Sequence, residues 1–386
     1  MKHSKSVMAV ALAVFTVHSL PVAVAQEGGQ AQPPKRFSWD QRPGKCFAPD
    51  VPQGSPMCAE RPNWPNFADT VSRVQLLFAQ GDFDLIARAE RELASSDQRF
   101  SVSNPTYSTG EYYFDAWYWA LNVMFKGDPT RYADTLAKWK AATGDAGYVV
   151  LAEALAREGE GWEARGTGYA STVSKEAWTI YHRKLQEAES LLDAADPTVK
   201  SAGSWHAEKL RLAYQLNAEK GTEAPEFRKA VSAWPYYKRL YMTAINYSMP
   251  EWGGSFEDVE AIARYAYDKT GTTDGAAWYA VLYTETFASN SKYVLRDTQV
   301  DWPLMKRGFR DALNNKIFGD RLLFSFARTA CQMKDRAEAK RLYELIDALP
   351  EAQRPKNATT DACRIFANET PKGGAMLESG ADRQWS

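Results

Sequence analysis

Amphipathic helical segments separated by short polar breaks follow one another through most of this chain. Apolar residues recur at three- and four-residue spacing, and the first segment carries Phe67, Val71, Val74, Leu77 and Phe78. That spacing is typical of a helix that buries one face. Asp128, Pro129 and Gly144 supply an N-cap, a first-turn proline and a terminal glycine. The sequence lacks the alternating runs and hairpin turns of strands. We therefore predict an all-α fold over residues 66–368.

Two distant stretches of the helical region align with each other. FAQGDFDLIARAERELA and CQMKDRAEAKRLYELID match at their turn aspartates, Asp82 and Asp335, and similar start signals occur at Asp196 and Thr222. The second stretch resembles the second helix of a tetratricopeptide hairpin. The period between the two stretches is not strict, so we predict a degenerate tetratricopeptide-like array, an α-solenoid in which each hairpin buries its apolar face against its neighbours.

The N-terminus has the pattern of a secretory signal. Lys2 and Lys5 precede a short apolar run, and Ala23-Val24-Ala25 supplies the small residues that a signal peptidase reads. The run is too short for a membrane anchor. We predict a cleaved signal peptide over residues 1–25, no membrane anchor after cleavage, and a periplasmic or secreted location.

Two further segments lack a periodic apolar face. Residues 26–65 are rich in Gly, Pro and Gln, and we predict a linker followed by an irregular segment. Residues 369–386 are interpreted as a disordered tail.

The four cysteines form two local pairs, Cys46 with Cys58 and Cys331 with Cys363. An even number in an oxidising compartment favours disulfides, although three connectivities are open. The local pairing is the simplest. A disulfide between Cys46 and Cys58 would then cross-link the irregular N-terminal segment. A metal site is the alternative, but there is no CxxC and no nearby histidine.

Other motifs narrow the classes of function. The net charge of −1 with interspersed signs argues against nucleic acid as a partner. His182 and His206 belong to no zinc-binding pattern, and the sequence contains no GxSxG elbow and no P-loop. We therefore predict no catalytic residues, no metal and no cofactor.

Two short motifs resemble those of a bacterial family known only as a domain of unknown function. The family is similar to tetratricopeptide arrays and carries a Trp-x-x-Arg-Gly stretch and a Pro-x-Trp-Gly-Gly corner. The matching residues here are Trp162, Arg165, Gly166, Pro250, Trp252, Gly253 and Gly254. The resemblance covers residues 66–366 and implies a helical array without implying an activity.

The stretch YSMPEWGGSFEDV could be a ligand-binding loop or a corner between helices. Pro250 ends the preceding helix, and Gly253 and Gly254 permit the positive φ of a sharp turn. Ser255 is then a good N-cap for the next helix. We predict a helix-to-helix corner plugged by Trp252.

Aromatic residues make up 13% of the chain and are its strongest signal for binding. We expect most of them to fill the spaces between helices, and a subset to line a groove, because Trp and Tyr dominate recognition surfaces. The candidate binding residues are Trp162, Glu163, Arg165 and Trp252. The preferred hypothesis is an exported scaffold that binds an envelope protein or peptide.

The alternative is a binder or hydrolase of cell-wall carbohydrate. It would use aromatic rings as stacking platforms and two acids that flank the scissile bond. The candidate acids are Glu158, Glu160 and Glu163, at the end of one predicted helix.

Overall fold

The computed structural model describes residues 67–97, 99, 111–144, 147–216, 220–287, 293–314, 321–351, 354 and 362–368. The secondary structure of these residues is helical, apart from one isolated bridge between Arg99 and Tyr112. The all-α prediction is confirmed for this part of the chain. The predicted signal, the segment with Cys46 and Cys58, and the C-terminal tail lie outside it.

The described residues form sixteen α-helices. In chain order they are α1 Phe67–Gln80, α2 Phe83–Leu93, α3 Tyr113–Leu121, α4 Pro129–Thr143, α5 Val149–Arg165, α6 Lys175–Ala194, α7 Pro197–Ser201, α8 Gly203–Leu216, α9 Pro225–Ala233, α10 Lys238–Ser248, α11 Phe256–Asp274, α12 Ala277–Phe287, α13 Trp302–Asn314, α14 Arg321–Gln332, α15 Arg336–Ala348 and α16 Ala362–Asn368. Helix α3 continues directly into a π-helical turn, Asn122–Lys126.

Most helix starts follow the capping signals of the sequence. Asp128 accepts a hydrogen bond from the backbone N–H of Arg131 at 3.0 Å, and Gly144, with a φ of 73°, is the C-cap of α4. Asp335 caps α15 in the same way. Thr222 is an exception: it lies in a 3-10 turn, and α9 begins at Pro225, where a proline suits the first turn.

Helices pack mainly on helices that are close in sequence. Strong contacts join α5 to α6, α10 to α11, α12 to α13 and α14 to α15. This pattern is compatible with a solenoid-like helical array, in which each unit buries its apolar face against its neighbours. No described helix has the length and apolarity needed to cross a membrane.

Buried aromatic rings fill the spaces between helices, as expected for most of the aromatic residues. The largest fully buried side chains include Trp117, Trp139, Trp278, Tyr118, Tyr237, Tyr241, Tyr279 and Tyr283. Near the C-terminus, a disulfide joins Cys331 of α14 to Cys363 of α16, with their Cα atoms 5.8 Å apart.

The stretch around Trp252 is a corner between α10 and α11. Gly253 has a φ of 82°, and Ser255 forms a capping box with Asp258. The expectation of a positive φ at Gly254 is wrong: a Cβ there would lie 2.1 Å from the carbonyl oxygen of Ser248, so a close approach requires this glycine. The side chain of Trp252 does not plug the corner, because it is 42% exposed.

Candidate functional site

Two buried glutamates on different helices share one arginine. Glu158 of α5 and Glu208 of α8 are both fully buried. Arg211 donates from Nη2 to Oε2 of Glu158 at 2.5 Å, and also to Oε2 of Glu208. The Tyr118 hydroxyl donates to the same Glu208 oxygen at 2.8 Å. Buried charges persist where they are paired, and these contacts pair both carboxyl groups with Arg211.

The π-helical turn after α3 adds two polar side chains to the pair. Lys126 Nζ lies 2.8 Å from Glu158 Oε1. With its amide oxygen facing Arg211, Asn122 accepts from Nη1 at 2.7 Å. Gly159 lets this turn approach α5, since a Cβ there would lie 2.4 Å from the Lys126 carbonyl oxygen. Such turns are rare and occur frequently at functional sites.

The two glutamates have different pKa values because their surroundings differ. Burial raises the pKa of Glu158, but the positive charges of Arg211 and Lys126 outweigh it and lower that pKa to about 2. Burial and the neighbouring Glu158 raise the pKa of Glu208 to about 7, against the opposing effect of Arg211. Of the two groups, Glu158 is therefore the one that stays a carboxylate, and Glu208 is the one that takes up a proton as the pH falls.

Gln215 connects this pair to two aromatic side chains. Its Nε2 donates to Oε1 of Glu158 at 2.7 Å. Its Oε1 accepts from the indole Nε1 of Trp162 at 3.0 Å and from the hydroxyl of Tyr181 at 2.8 Å. Trp162 is thus held in a fixed orientation by hydrogen bonds that lead to the buried charges.

A second buried ion pair lies beside the first. Arg239 of α10 donates to both carboxylate oxygens of Asp115 on α3, at 2.6 and 3.0 Å, and the Tyr237 hydroxyl donates to the same carboxylate. The Arg239 guanidinium also lies over the rings of Tyr118 and Trp119, 5.3 and 4.8 Å from their centroids. Because Tyr118 also binds Glu208, this cation–π contact of Arg239 joins the two ion-pair clusters.

Several side chains of these clusters are half-buried, so they reach solvent while their partners stay inside. We call the patch they form the network surface, and its members are Trp119, Asn122, Lys126, Trp162, Arg211, Gln215, Arg239 and Tyr247. Tyr247 belongs to it because its hydroxyl interacts electrostatically with Glu158 and Arg211.

The predicted binding residues have different surroundings. The Arg165 guanidinium lies between Trp162 and Trp178, 5.0 and 4.9 Å from the ring centroids. Glu163 is exposed on α5. The ring of Trp252 lies 5.8 Å from that of Tyr247, at the edge of the network surface. The structure therefore brings Trp162 and Arg165 together and places Trp252 beside a different member of the surface.

The three glutamates of the alternative hypothesis do not converge. Glu158 is buried against Arg211, whereas Glu160 pairs with Lys184 at 2.6 Å and Glu163 is exposed. Residues two and five positions apart on a helix point in different directions. The carboxyl group that does lie beside Glu158 is that of Glu208, which the sequence analysis missed.

A sequence signal for Glu208 did exist. Trp205, Glu208 and Leu212 lie at three- and four-residue spacing on α8, and all three are buried. An acid within an apolar stripe indicates a buried charge that needs a partner. Arg211 lies three residues on in the same helix, whereas Tyr118 and Glu158 come from other helices and have no local signal.

The histidines and one further cleft are not part of this network. Burial lowers the pKa of His206 to about 4, and exposed His182 stacks on Trp178 with ring centroids 5.4 Å apart. Within the described residues, no group of three or more His, Cys, Asp or Glu side chains could hold a metal ion. A cleft of about 650 Å³ is lined mainly by ion-paired side chains: Lys140, Glu153, Arg157, Arg183 and Glu187.

Comparison of the chain with protein-family models, curated proteins and solved structures gives no match. The resemblance to a domain-of-unknown-function family stays a prediction that rests on the two short motifs.

Proposed function

We propose that the protein is an exported scaffold of the bacterial cell envelope that binds a protein or peptide through the network surface. The array is a degenerate tetratricopeptide-like solenoid, and the partner lies along α3, α5, α8 and α10. These four helices supply all eight members of the surface, together with the π turn.

One observation carries this proposal: the half-buried side chains of the surface are held by buried partners. Trp162 is fixed by Gln215, and Gln215 by Glu158. Arg239 is fixed by both oxygens of Asp115. Side chains that are already ordered lose little conformational entropy on binding, and Trp, Tyr and Arg are the residue types that dominate recognition.

An envelope location is supported by the chemistry of the chain. The Cys331–Cys363 disulfide is typical of proteins in oxidising compartments. The predicted signal peptide, residues 1–25, points to export into the same kind of compartment.

Capture from envelope extracts tests the proposal. The purified exported chain is immobilised beside its Trp162→Ala and Tyr247→Ala variants and a control, Leu345→Ala, which changes an exposed residue of α15. We expect a partner that the wild type and the control retain and both surface variants lose, with circular dichroism melts that show folded variants. A partner that all four proteins retain equally would overturn the proposal.

Carbohydrate binding is a second candidate because two aromatic side chains of the described residues are exposed. Tyr169 is 48% and Trp252 42% exposed, and such rings can stack on sugars. Co-sedimentation with purified peptidoglycan tests this candidate. Retention that Trp252→Ala abolishes would support it, and a chain that stays in the supernatant would exclude it.

A further inference from the structure

We propose that the network surface binds a carboxylate of an acidic peptide segment at Lys126, and that this binding is coupled to proton uptake by the Glu158–Glu208 pair. The inference rests on the proposed function, since it names the chemistry of the partner and a condition for its binding.

Lys126 has hydrogen-bonding capacity that the buried network does not use. An ammonium group has three donors, and the described contact of Lys126 is with Oε1 of Glu158. The side chain is 21% exposed. Arg211, by contrast, directs its Nη atoms at Glu158, Glu208 and Asn122. Of the two cations that contact Glu158, Lys126 is therefore the one that can reach a ligand.

The positive charge at Lys126 is incompletely compensated. Burial and the adjacent Arg211 lower the pKa of the Lys126 ammonium, even though Glu158 acts in the opposite direction. When Glu208 carries its proton, two cations face the single negative charge of Glu158. An additional anion at Lys126 would then restore electroneutrality.

The same anion would favour the protonated form of Glu208. The charged and titratable groups around Glu208 come from several elements: Tyr118 of α3, Lys126 of the π turn, Glu158 of α5, Arg211 of α8, Tyr247 of α10 and, across the Tyr118 ring, Arg239 of α10. A ligand carboxylate beside Lys126 adds negative charge to this set, which opposes ionisation of Glu208. Because coupling is reciprocal, protonation of Glu208 strengthens binding of the carboxylate.

The aromatic members of the network surface favour a peptide. Trp119, Trp162 and Tyr247 offer half-buried rings on the same surface, which suit the apolar atoms of a chain on either side of the acid. A carboxylate presents two acceptor oxygens, which match the two remaining donors of the ammonium.

Fluorescence anisotropy with two matched peptides tests the inference. Rhodamine-labelled Gly-Glu-Gly-Glu-Gly-Glu is compared with the same peptide carrying Gln in place of Glu, at pH 6 and pH 8. We expect the Glu peptide to bind about tenfold more tightly at pH 6 than at pH 8, as for a typical coupling between two sites. The Gln peptide should bind more weakly and without pH dependence.

Three variants locate the effect. Lys126→Met should remove the preference for the Glu peptide, whereas Lys138→Met changes an exposed lysine of α4 and should leave it unchanged. Glu208→Gln cannot release a proton, so its affinity for the Glu peptide should be the same at both pH values. Circular dichroism melts establish that each variant is folded.

Equal affinity of the wild type for the two peptides would overturn the inference, as would an affinity that does not change with pH or no binding of either peptide at millimolar concentration. Envelope capture separates this failure from failure of the proposed function. If the wild type captures a partner equally at both pH values and Trp162→Ala loses it, the proposed scaffold function holds and the inference of an acidic, proton-coupled ligand fails.

Discussion

Gly159 of α5 packs directly against the backbone of Lys126. A Cβ at position 159 would stand 2.4 Å from the Lys126 carbonyl oxygen, closer than any real contact of this kind. The ammonium group of the same lysine pairs with Glu158, the residue before the glycine. The absence of a side chain at Gly159 thus sets the distance at which the π turn meets the buried acid.

Gly159→Ala is expected to destabilise the protein although alanine is the better helix former. The helix would gain about 1 kcal/mol in propensity. Overpacking costs about 1 to 3 kcal/mol, and here the obstacle is a backbone atom that cannot rotate away. We expect a net loss in the free energy of unfolding, measured by urea denaturation.

Gly161→Ala on the same helix is the control for Gly159→Ala. Its nearest neighbour would be the Cβ of Lys184 at 3.2 Å, a contact that a small shift relieves. We expect it to be close to neutral. If Gly159→Ala proved as stable as Gly161→Ala, the close approach of the π turn would not depend on glycine.

The two glycines of the corner should respond differently to substitution. At Gly254 a Cβ would lie 2.1 Å from the Ser248 carbonyl oxygen, so we expect Gly254→Ala and Gly254→Val to cost about 2 to 4 kcal/mol. Gly253 has a positive φ, and the nearest atom to a Cβ there would be Nζ of Lys220, at an ordinary contact distance of 3.9 Å. Asparagine tolerates that conformation, so Gly253→Asn should cost less than about 1 kcal/mol. Thermal melts that rank the substitutions in the opposite order would contradict this account.

Local signals predicted the elements of the fold because the interactions that define them are local. The Asp128 cap and the Gly144 stop act within one helical turn, as does the capping box of Ser255 and Asp258. The error at Gly254 has a different origin. The need for glycine there comes from the carbonyl oxygen of Ser248, and the sequence pattern did not distinguish this close approach from a positive φ.

The candidate site was only partly predictable for a related reason. Trp162 and Arg165 were singled out from the sequence, and they do lie together. The sequence pattern places Glu158 among the candidate acids at the end of a helix. In the fold this residue is buried, and Arg211 and Lys126 pair with it from other elements. The burial of a charge depends on tertiary partners, and helical periodicity within one segment does not show them.

A buried and an exposed ion pair allow a comparison of how much each contributes to the free energy of unfolding. Arg239→Met would leave the carboxylate of Asp115, which is almost fully buried, without its cation. Breaking one side of a buried pair costs about 3 to 5 kcal/mol. Lys138→Met breaks the pair with Asp134, in which both side chains are exposed, and exposed pairs contribute less than about 1 kcal/mol. Equal losses in the free energy of unfolding would show that burial of Asp115 does not control the cost.

Glu208→Gln should change how stability depends on pH. The pKa of Glu208 is about 7 in the fold against an ordinary value of 4.5, so the folded chain binds its proton more tightly than the unfolded chain does. The stabilisation from that proton is complete below pH 4.5 and is lost as the pH rises through 7. Glutamine has no proton to lose, so the variant should gain up to about 3 kcal/mol relative to the wild type across this window.

Urea denaturation between pH 4.5 and 8 measures the difference, and titrations common to both proteins, such as that of His206, cancel. Glu163→Gln, an exposed change of the same chemistry, should show no such trend, and a constant difference for Glu208→Gln would contradict the raised pKa.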